Sequence, residues 1–258
     1  MVLEIANITK DRKDLYELLD QAYAAIYTPA FPNPDSRESL EKFKKAIEGG
    51  IPKVQIAVNI LGENLLDPAT RVIKGISIAY YYEPQNVGML AYNAIDPNHR
   101  EAGLGKLMVE SRIDSLKKLA HANGGQQLAG VFIDVNDPAK VAPEDDSMDP
   151  SKRIAIFGKW GAHIIPIDYV QPPLSLDGYY CDTMRLMNYP IDGVYADKKV
   201  IESFLRALYR EYRSDLKPDD DYYFQQMKSQ LKTADLGVLI DNDTVPGYKM
   251  NVPKYNYV

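Results

Sequence analysis

The sequence predicts a mixed α/β fold: a central mixed, mostly antiparallel sheet flanked by helices, followed by a C-terminal helical extension. Three observations predict it. Three β-rich runs, residues 53–61, 71–84 and 88–95, succeed one another with no helical pattern between them, which marks an antiparallel meander. A strand, helix, strand run then joins 88–95 to 128–136, and a crossover of that length makes those two strands parallel. From Tyr195 onward the chain turns charged and helical.

Taken in order, "LEIANI" (residues 3–8) alternates apolar and polar residues and reads as a strand. Thr9 is placed to cap the helix that follows, whose apolar residues Leu15, Leu18, Leu19, Ala22 and Ile26 recur at helical spacing. The prolines of "TPAFPNPDS" interrupt it, and Asp35 or Ser36 caps a second helix that runs to Ile47 and ends at "EGG". "GENLLDPAT" is the hairpin connection inside the meander. After it, Leu104, Leu107, Met108, Ser111, Leu116 and Leu119 trace one helix face that stops at "HANGG". "LAGVFIDVN" (128–136) is apolar enough for burial on both faces. Asp149-Pro150 opens a short helix with a cap and a proline at the first position. "AHIIPIDYV" and "YCDTMRLMNYP" read as two final strands joined by "QPPLSLDGY". In the tail, Val200, Ile201, Phe204, Leu205, Leu208, Tyr209 and Tyr212 form an apolar stripe, and "KPDDD" separates that helix from "YYFQQMKSQL". Two readings of this tail stand: an appendage packed on the main domain, or a homodimer surface or lid.

Composition bounds the function. A chain of 258 residues, 45% hydrophobic and 26% charged, suits one large domain or one domain with an appendage. A net charge of -6 excludes a general nucleic-acid binder, because no basic surplus exists to neutralise phosphates. The single cysteine, Cys181, excludes a disulfide framework and a cysteine-rich zinc site, and His99, His121 and His163 show no metal-ligand spacing. Neither a signal peptide nor a stretch of roughly 20 apolar residues is present, so a cytoplasmic protein with no membrane partner is expected.

The informative stretch is "AIDPNHREAGLGKLMVESR" (94–112). A glycine-bearing loop that opens a helix presents unpaired N–H groups at the positive end of the helix dipole, which makes an anion site. Side chains at Gly103 or Gly105 would hold a phosphate away from those amides, and Arg100 supplies a charge. A P-loop is excluded because Leu107 follows Gly105-Lys106 and no glycine stands at the required place. A dinucleotide fingerprint is excluded because Met108 occupies the third glycine's position and a meander precedes the loop.

Arg100-Glu101-Ala102-Gly103-Leu104-Gly105 does resemble the Arg/Gln-x-x-Gly-x-Gly/Ala signature of the GCN5-related N-acetyltransferase (GNAT) superfamily, over roughly residues 3–190. "RIAIFGKWGA" is similar to that family's later helix, commonly Phe-Tyr-x-x-x-Gly-Phe. The resemblance implies a catalytic domain over 1–190 and a helical extension over 191–258. It implies that strands 88–95 and 128–136 splay apart, that Tyr92, Asn93, Ala94 and Ile95 face the pantetheine arm, and that the amides from Arg100 to Lys106 grip the pyrophosphate. Asn136 falls where the family often has a polar residue near the cofactor. Glu83 and Asp134 are the candidate bases, each with a solvated strand-end carboxylate or a satisfied hydrogen-bond acceptor as its plainer reading.

One position departs from the family. The tyrosine that often protonates the leaving thiolate sits four residues before the glycine of the later helix, and counting back from Gly161 gives Phe157. Tyr169, Tyr179 or Tyr180 substitutes, or solvent does. The expected activity is transfer of an acetyl or other acyl group from acyl-CoA, the co-substrate, to a primary amine of a small molecule by direct attack, without a metal. The alternative is a non-catalytic acyl-CoA-binding or protein-interaction module.

Overall fold

The computed structural model describes residues 2–34, 37–175, 178–236 and 255–258, with backbone alone at 101, 102, 145 and 255. The chain is mixed α/β and divides into two compact units. Unit 1 comprises Met1–Glu83, Gly88–Gln127 and Tyr248–Val258, and unit 2 comprises Pro84–Val87 and Leu128–Gly247.

In unit 1 the strands β1 (Leu3–Ile8), β2 (Val54–Glu63), β3 (Val72–Tyr82), β4 (Val87–Ile95) and β8 (Tyr255–Tyr257) lie in the order β4-β3-β2-β1-β8. Of the expected meander, β2 and β3 pair antiparallel and β4 lies next to β3; β2 also pairs antiparallel with β1. The register of β2 with β3 slips between Leu61 and Gly62, where a Cβ would stand 2.2 Å from the Val72 carbonyl oxygen, so only glycine fits. β8 pairs parallel with β1, Ile5 opposite Tyr257. The expectation that the tail is wholly helical is therefore corrected at its end.

Helices cover both faces of this sheet, which explains why β2 and β3 are buried almost throughout. One face receives α1 (Tyr16–Ala22), α2 (Thr28–Ala30) and α3 (Leu40–Ile47). Leu15, Leu18, Leu19, Ala22 and Ile26 are buried as their spacing required. The first helix starts later than Thr9, whose carbonyl instead accepts from the Arg12 amide at 3.0 Å. Nor do the prolines stop it at once. A π turn over Tyr23–Tyr27 carries α1 into α2, and the widened turn makes room for Pro29, which has no N–H to give. The expected caps Asp35 and Ser36 lie outside the described residues, and α3 is capped by Ser39, which accepts from the Lys42 amide at 3.2 Å.

The other face receives α4 (Leu104–Ala122). Ile5, Leu61, Leu104, Leu107 and Met108 form one apolar cluster there. Beside it a polar row crosses three strands in register, Asn7 opposite Asn59 and Asn59 opposite Ser77. Asn59 donates to Ser111 at 3.1 Å and accepts from Asn7 at 2.7 Å, which satisfies buried amides that would otherwise cost stability. The Ser77 hydroxyl, fully buried, has no partner among the described residues.

Unit 2 holds β5 (Gly130–Asn136), α5 (Pro150–Lys159), β6 (His163–Ile164), β7 (Met184–Tyr189), α6 (Lys198–Tyr212) and α7 (Tyr222–Thr233), with strands in the order β6-β7-β5. Asp149 caps α5 as expected, accepting from the Ser151 amide at 2.9 Å. The strand expected over "AHIIPIDYV" shrinks to two residues. Pro166 removes a ladder donor, and beyond it the chain makes two three-residue turns, Ile167 to Ile165 at 2.8 Å and Tyr169 to Ile167 at 3.0 Å. Asp197 and Asp221 cap α6 and α7. The apolar stripe of α6 is spent inside this unit: Ile201, Phe204, Leu205, Leu208 and Tyr209 are buried, and Phe204 stacks on Phe132 of β5 at 4.3 Å. No helix among the described residues is long and apolar enough to cross a membrane.

Candidate functional site

In unit 1, β4 feeds α4 through the loop that the sequence singled out. Asp96 accepts from the Asn98 amide at 2.7 Å, a 3-10 turn spans Pro97–Ala102, and Gly103 adopts φ 72°, ψ 7° to swing the chain into the helix. Ser39, Asp149, Asp197 and Asp221 cap their helices with side-chain oxygens. At α4 no side chain among the described residues does so, and its first turn holds no acidic residue. The Leu107 amide reaches back to the Gly103 carbonyl at 3.3 Å, so the amides of Leu104, Gly105 and Lys106 head the helix at the positive end of its dipole. A Cβ on Gly103 would meet nothing within 4 Å.

The other expected cofactor residues surround this loop in different ways. Asn93 donates to the Gly105 carbonyl at 3.3 Å, and its buried Oδ1 has no partner among the described residues. Arg100 is exposed, with Nε 3.4 Å from the Ile95 carbonyl, and Lys106 lies 3.6 Å from Glu110. Leu104 and Ala94 are core residues, and Glu101 and Ala102 contribute backbone to the 3-10 turn. Tyr92 turns its ring into an aromatic cluster with Tyr27, Phe31 and Phe43. Its carbonyl accepts from Arg112 at 3.0 Å, which uses one of that oxygen's two lone pairs within the fold. Arg112 is 1% exposed, which the sequence reading missed. The available signal was its place four residues after Met108 and four before Leu116, on the buried face of α4.

Glu83 follows β3, also in unit 1, at the start of a 3-10 turn, and accepts from Gln55 at 2.6 Å. Nearby, Glu38 is buried against the Tyr80 hydroxyl and 2.6 Å from Lys42.

Unit 2 brings two of the expected catalytic residues together. Asp134 on β5 accepts from the Tyr169 hydroxyl at 3.3 Å and from Gln171 Nε2 at 2.9 Å, both on Oδ2. Burial pushes the Asp134 carboxyl up to about 6, against the lowering pull of those two donors. Tyr169 is held well above its ordinary value, first by burial and then by the Asp134 charge. Gln171 carried no sequence signal, because its link to Asp134 crosses an irregular segment. Asn136, two residues along the same face of β5, donates to Asp146 at 2.8 Å, and Asp146 accepts from Arg153 of α5 at 2.7 Å. Asp146 thus ties β5 to α5. Tyr179 is 92% exposed, while the Tyr180 hydroxyl donates to Asp221 and accepts from Arg213. Phe157 is buried edge-on to Trp160 at 5.4 Å.

Among solved structures, the chain is similar to a protein from Bacteroides thetaiotaomicron assigned to the GNAT family of acetyltransferases. The two are 17% identical, the match covers 83% of this chain and 99% of that one, and the TM-score is 0.54. This chain has the GNAT fold. Weaker likenesses run to an acetyltransferase from Bacillus subtilis in complex with CoA (16% identity, 73% of this chain and 99% of that one, TM-score 0.41). They run also to GCN5 from Tetrahymena (15% identity, 75% and 98%, TM-score 0.45). The sequence itself matches no family model and no curated protein. The GNAT fold was legible through six loop residues, the likeness of residues 153–162 to the family's later helix, and the order of elements around them.

Proposed function

We propose that this protein is an acyltransferase that moves an acetyl or other acyl group from acyl-CoA to a primary amine of a small molecule. The observation that carries the reading is the uncapped N-terminus of α4 behind Gly103. Three leading amides, a left-handed glycine with open space beside it and a first turn free of acid fit a pyrophosphate. Arg100 and Lys106 add positive charge to the same loop. The acetyltransferase assignment of the Bacteroides protein agrees with it.

Asp134 is the preferred base. Its raised affinity for a proton leaves it ionised at neutral pH yet basic enough to take the proton an attacking amine releases. As the amine nitrogen bonds to the acyl carbon, the carbon–sulfur bond breaks, the surplus proton passes to the carboxylate, and CoA departs as its thiol once protonated from solvent. Tyr169 serves as a donor that holds Asp134, since its own proton is committed there and burial makes the phenol a weaker acid. Tyr179 and Tyr180 are given no part in the transfer: one is in solvent, the other is hydrogen-bonded to Asp221 and Arg213. A single cysteine agrees with a reducing compartment, and the cytoplasm is the proposed location. Phe157 at the usual tyrosine position favours the second reading, a module that binds acyl-CoA without transferring it.

Calorimetric titration of acetyl-CoA into the wild type, Gly103→Asp and Gly103→Asn tests the binding step. Asp and Asn both tolerate positive φ, so only the charge separates them. Binding that the Asp variant loses about 10-fold or more beyond the Asn variant supports the loop assignment. Equal binding by all three removes it. Release of CoA thiol over a panel of amines then separates transfer from binding alone.

A further inference from the structure

The segment that carries Tyr169 and Gln171 is held from outside by the C-terminal helices of unit 2. Immediately before Tyr169, the Asp168 amide donates to Gln230 Oε1 of α7 at 2.8 Å, and Gln230 Nε2 returns a bond to Asp168 Oδ2 at 2.8 Å. Immediately after it, the Val170 carbonyl accepts from the Tyr209 hydroxyl of α6 at 2.8 Å, and the Val170 amide points at Met227 Sδ of α7 at 3.4 Å. Gln171 is paired both ways with Cys181, at 2.8 and 3.0 Å. Next to Cys181, Tyr180 is bound by Asp221, the cap of α7, and by Arg213 beyond α6. The Asp168 amide and both backbone groups of Val170, on either side of Tyr169, are thus taken by α6 or α7. Irregular chain of this kind has no ladder to fix it, so side chains must supply the missing partners.

We infer that α6 and α7 are positioning elements of the catalytic apparatus, with Tyr209 and Gln230 as the positioning residues that hold Tyr169 and Gln171 against Asp134. The bonds from Tyr169 and Gln171 go to the ionised carboxylate and favour it, so their alignment sets how readily Asp134 accepts a proton. The titratable neighbours acting on the pair are Tyr169 itself, Tyr209 from α6 and Cys181 across the Gln171 bridge. The helices therefore reach the carboxylate through one intermediate segment, without touching it.

The catalytic part of this inference rests on the acyl-transfer reading, whereas the link from helix to carboxylate does not. The test is a carbon-13 NMR titration of the Asp134 carboxyl in the full chain, assigned by its loss in Asp134→Asn, together with the acidic limb of kcat/KM against pH. Tyr209→Phe keeps the ring and deletes only the hydroxyl. Gln230→Ala removes two bonds at the unit's surface and carries the test if Tyr209→Phe does not fold. Gln226→Ala, exposed one turn before Gln230 and bonded to Tyr222 at 2.5 Å, is the control. The expected result is a rise of about 0.5–1 pH unit in the Asp134 midpoint for Tyr209→Phe and Gln230→Ala, none for Gln226→Ala, and an acidic limb that moves with it. An unmoved midpoint in folded Tyr209→Phe and Gln230→Ala overturns the inference. A moved midpoint with no CoA released for any amine keeps the coupling and removes the acyl-transfer reading instead.

Discussion

The Tyr169 hydroxyl meets Asp134 Oδ2 at 3.3 Å across 35 residues of chain, and Gln171 reaches the same oxygen at 2.9 Å. One carboxylate oxygen thus receives two donors in a site where burial opposes its charge. The balance between those effects gives the first two predictions.

Asp134→Asn lowers kcat/KM by about 100-fold to 10,000-fold, the range expected on removing a general base. The same change alters stability with a definite sign. Because the folded-state proton affinity of Asp134 is raised, the cost to the fold is absent below the ordinary carboxylate range, builds as pH rises from there to about 6, and is full above that. Asp134→Asn is therefore more stable than the wild type at pH 8 by about 1–3 kcal/mol, with the gap closing at pH 4. Urea unfolding at both pH values measures it.

Tyr169→Phe removes a donor and keeps the ring. The acidic limb of the rate profile moves up by about 0.5–1 pH unit while the plateau above it stays within about 3-fold. A plateau that collapses at every pH would instead make Tyr169 the acid that protonates the departing thiolate.

Arg112→Met deletes a buried donor to the carbonyls of Ile78 and Tyr92, at 3.4 and 3.0 Å. Loss of a charged hydrogen-bonding group from the core costs about 3–5 kcal/mol. Thermal unfolding checks the cost. Weaker acetyl-CoA binding in the still-folded fraction would show that the β4 backbone depends on this arginine.

The polar row under α4 separates satisfied from unsatisfied groups. Ser77→Ala removes a buried hydroxyl that lacks a partner among the described residues and stabilises the protein by up to about 1 kcal/mol. Asn59→Ala breaks bonds to Asn7, Ser111 and Ser115 and destabilises by about 2–4 kcal/mol. Chemical denaturation of the two variants side by side should give opposite signs.

Local signals were legible and long-range ones were not. Residues 3–8, the α4 face and the Asp149 cap announce themselves through periodicity and capping chemistry, which act within a few residues. The loop before α4 was legible for the same reason, since glycine, a helix start and an arginine stand together. Residues 162–170 misled because apolar alternation predicts a strand, and nothing local reveals that α6 and α7 supply the partners instead of a neighbouring strand. The Asp134 and Tyr169 candidates were reachable as residue types, but their contact depends on that docking. Arg112 shows the reverse failure: charge argues for the surface, while two backbone carbonyls make a buried position affordable.

The pairing of β8 with β1 sets a timetable for synthesis. Leu3–Ile8 leaves the ribosome about 250 residues before the strand that covers its outer edge, a delay of roughly 10–50 s at ordinary translation rates. Through that interval the nascent chain carries an uncovered strand edge with Ile5 and Ile8 beside it, the kind of surface on which nascent chains aggregate and chaperones act.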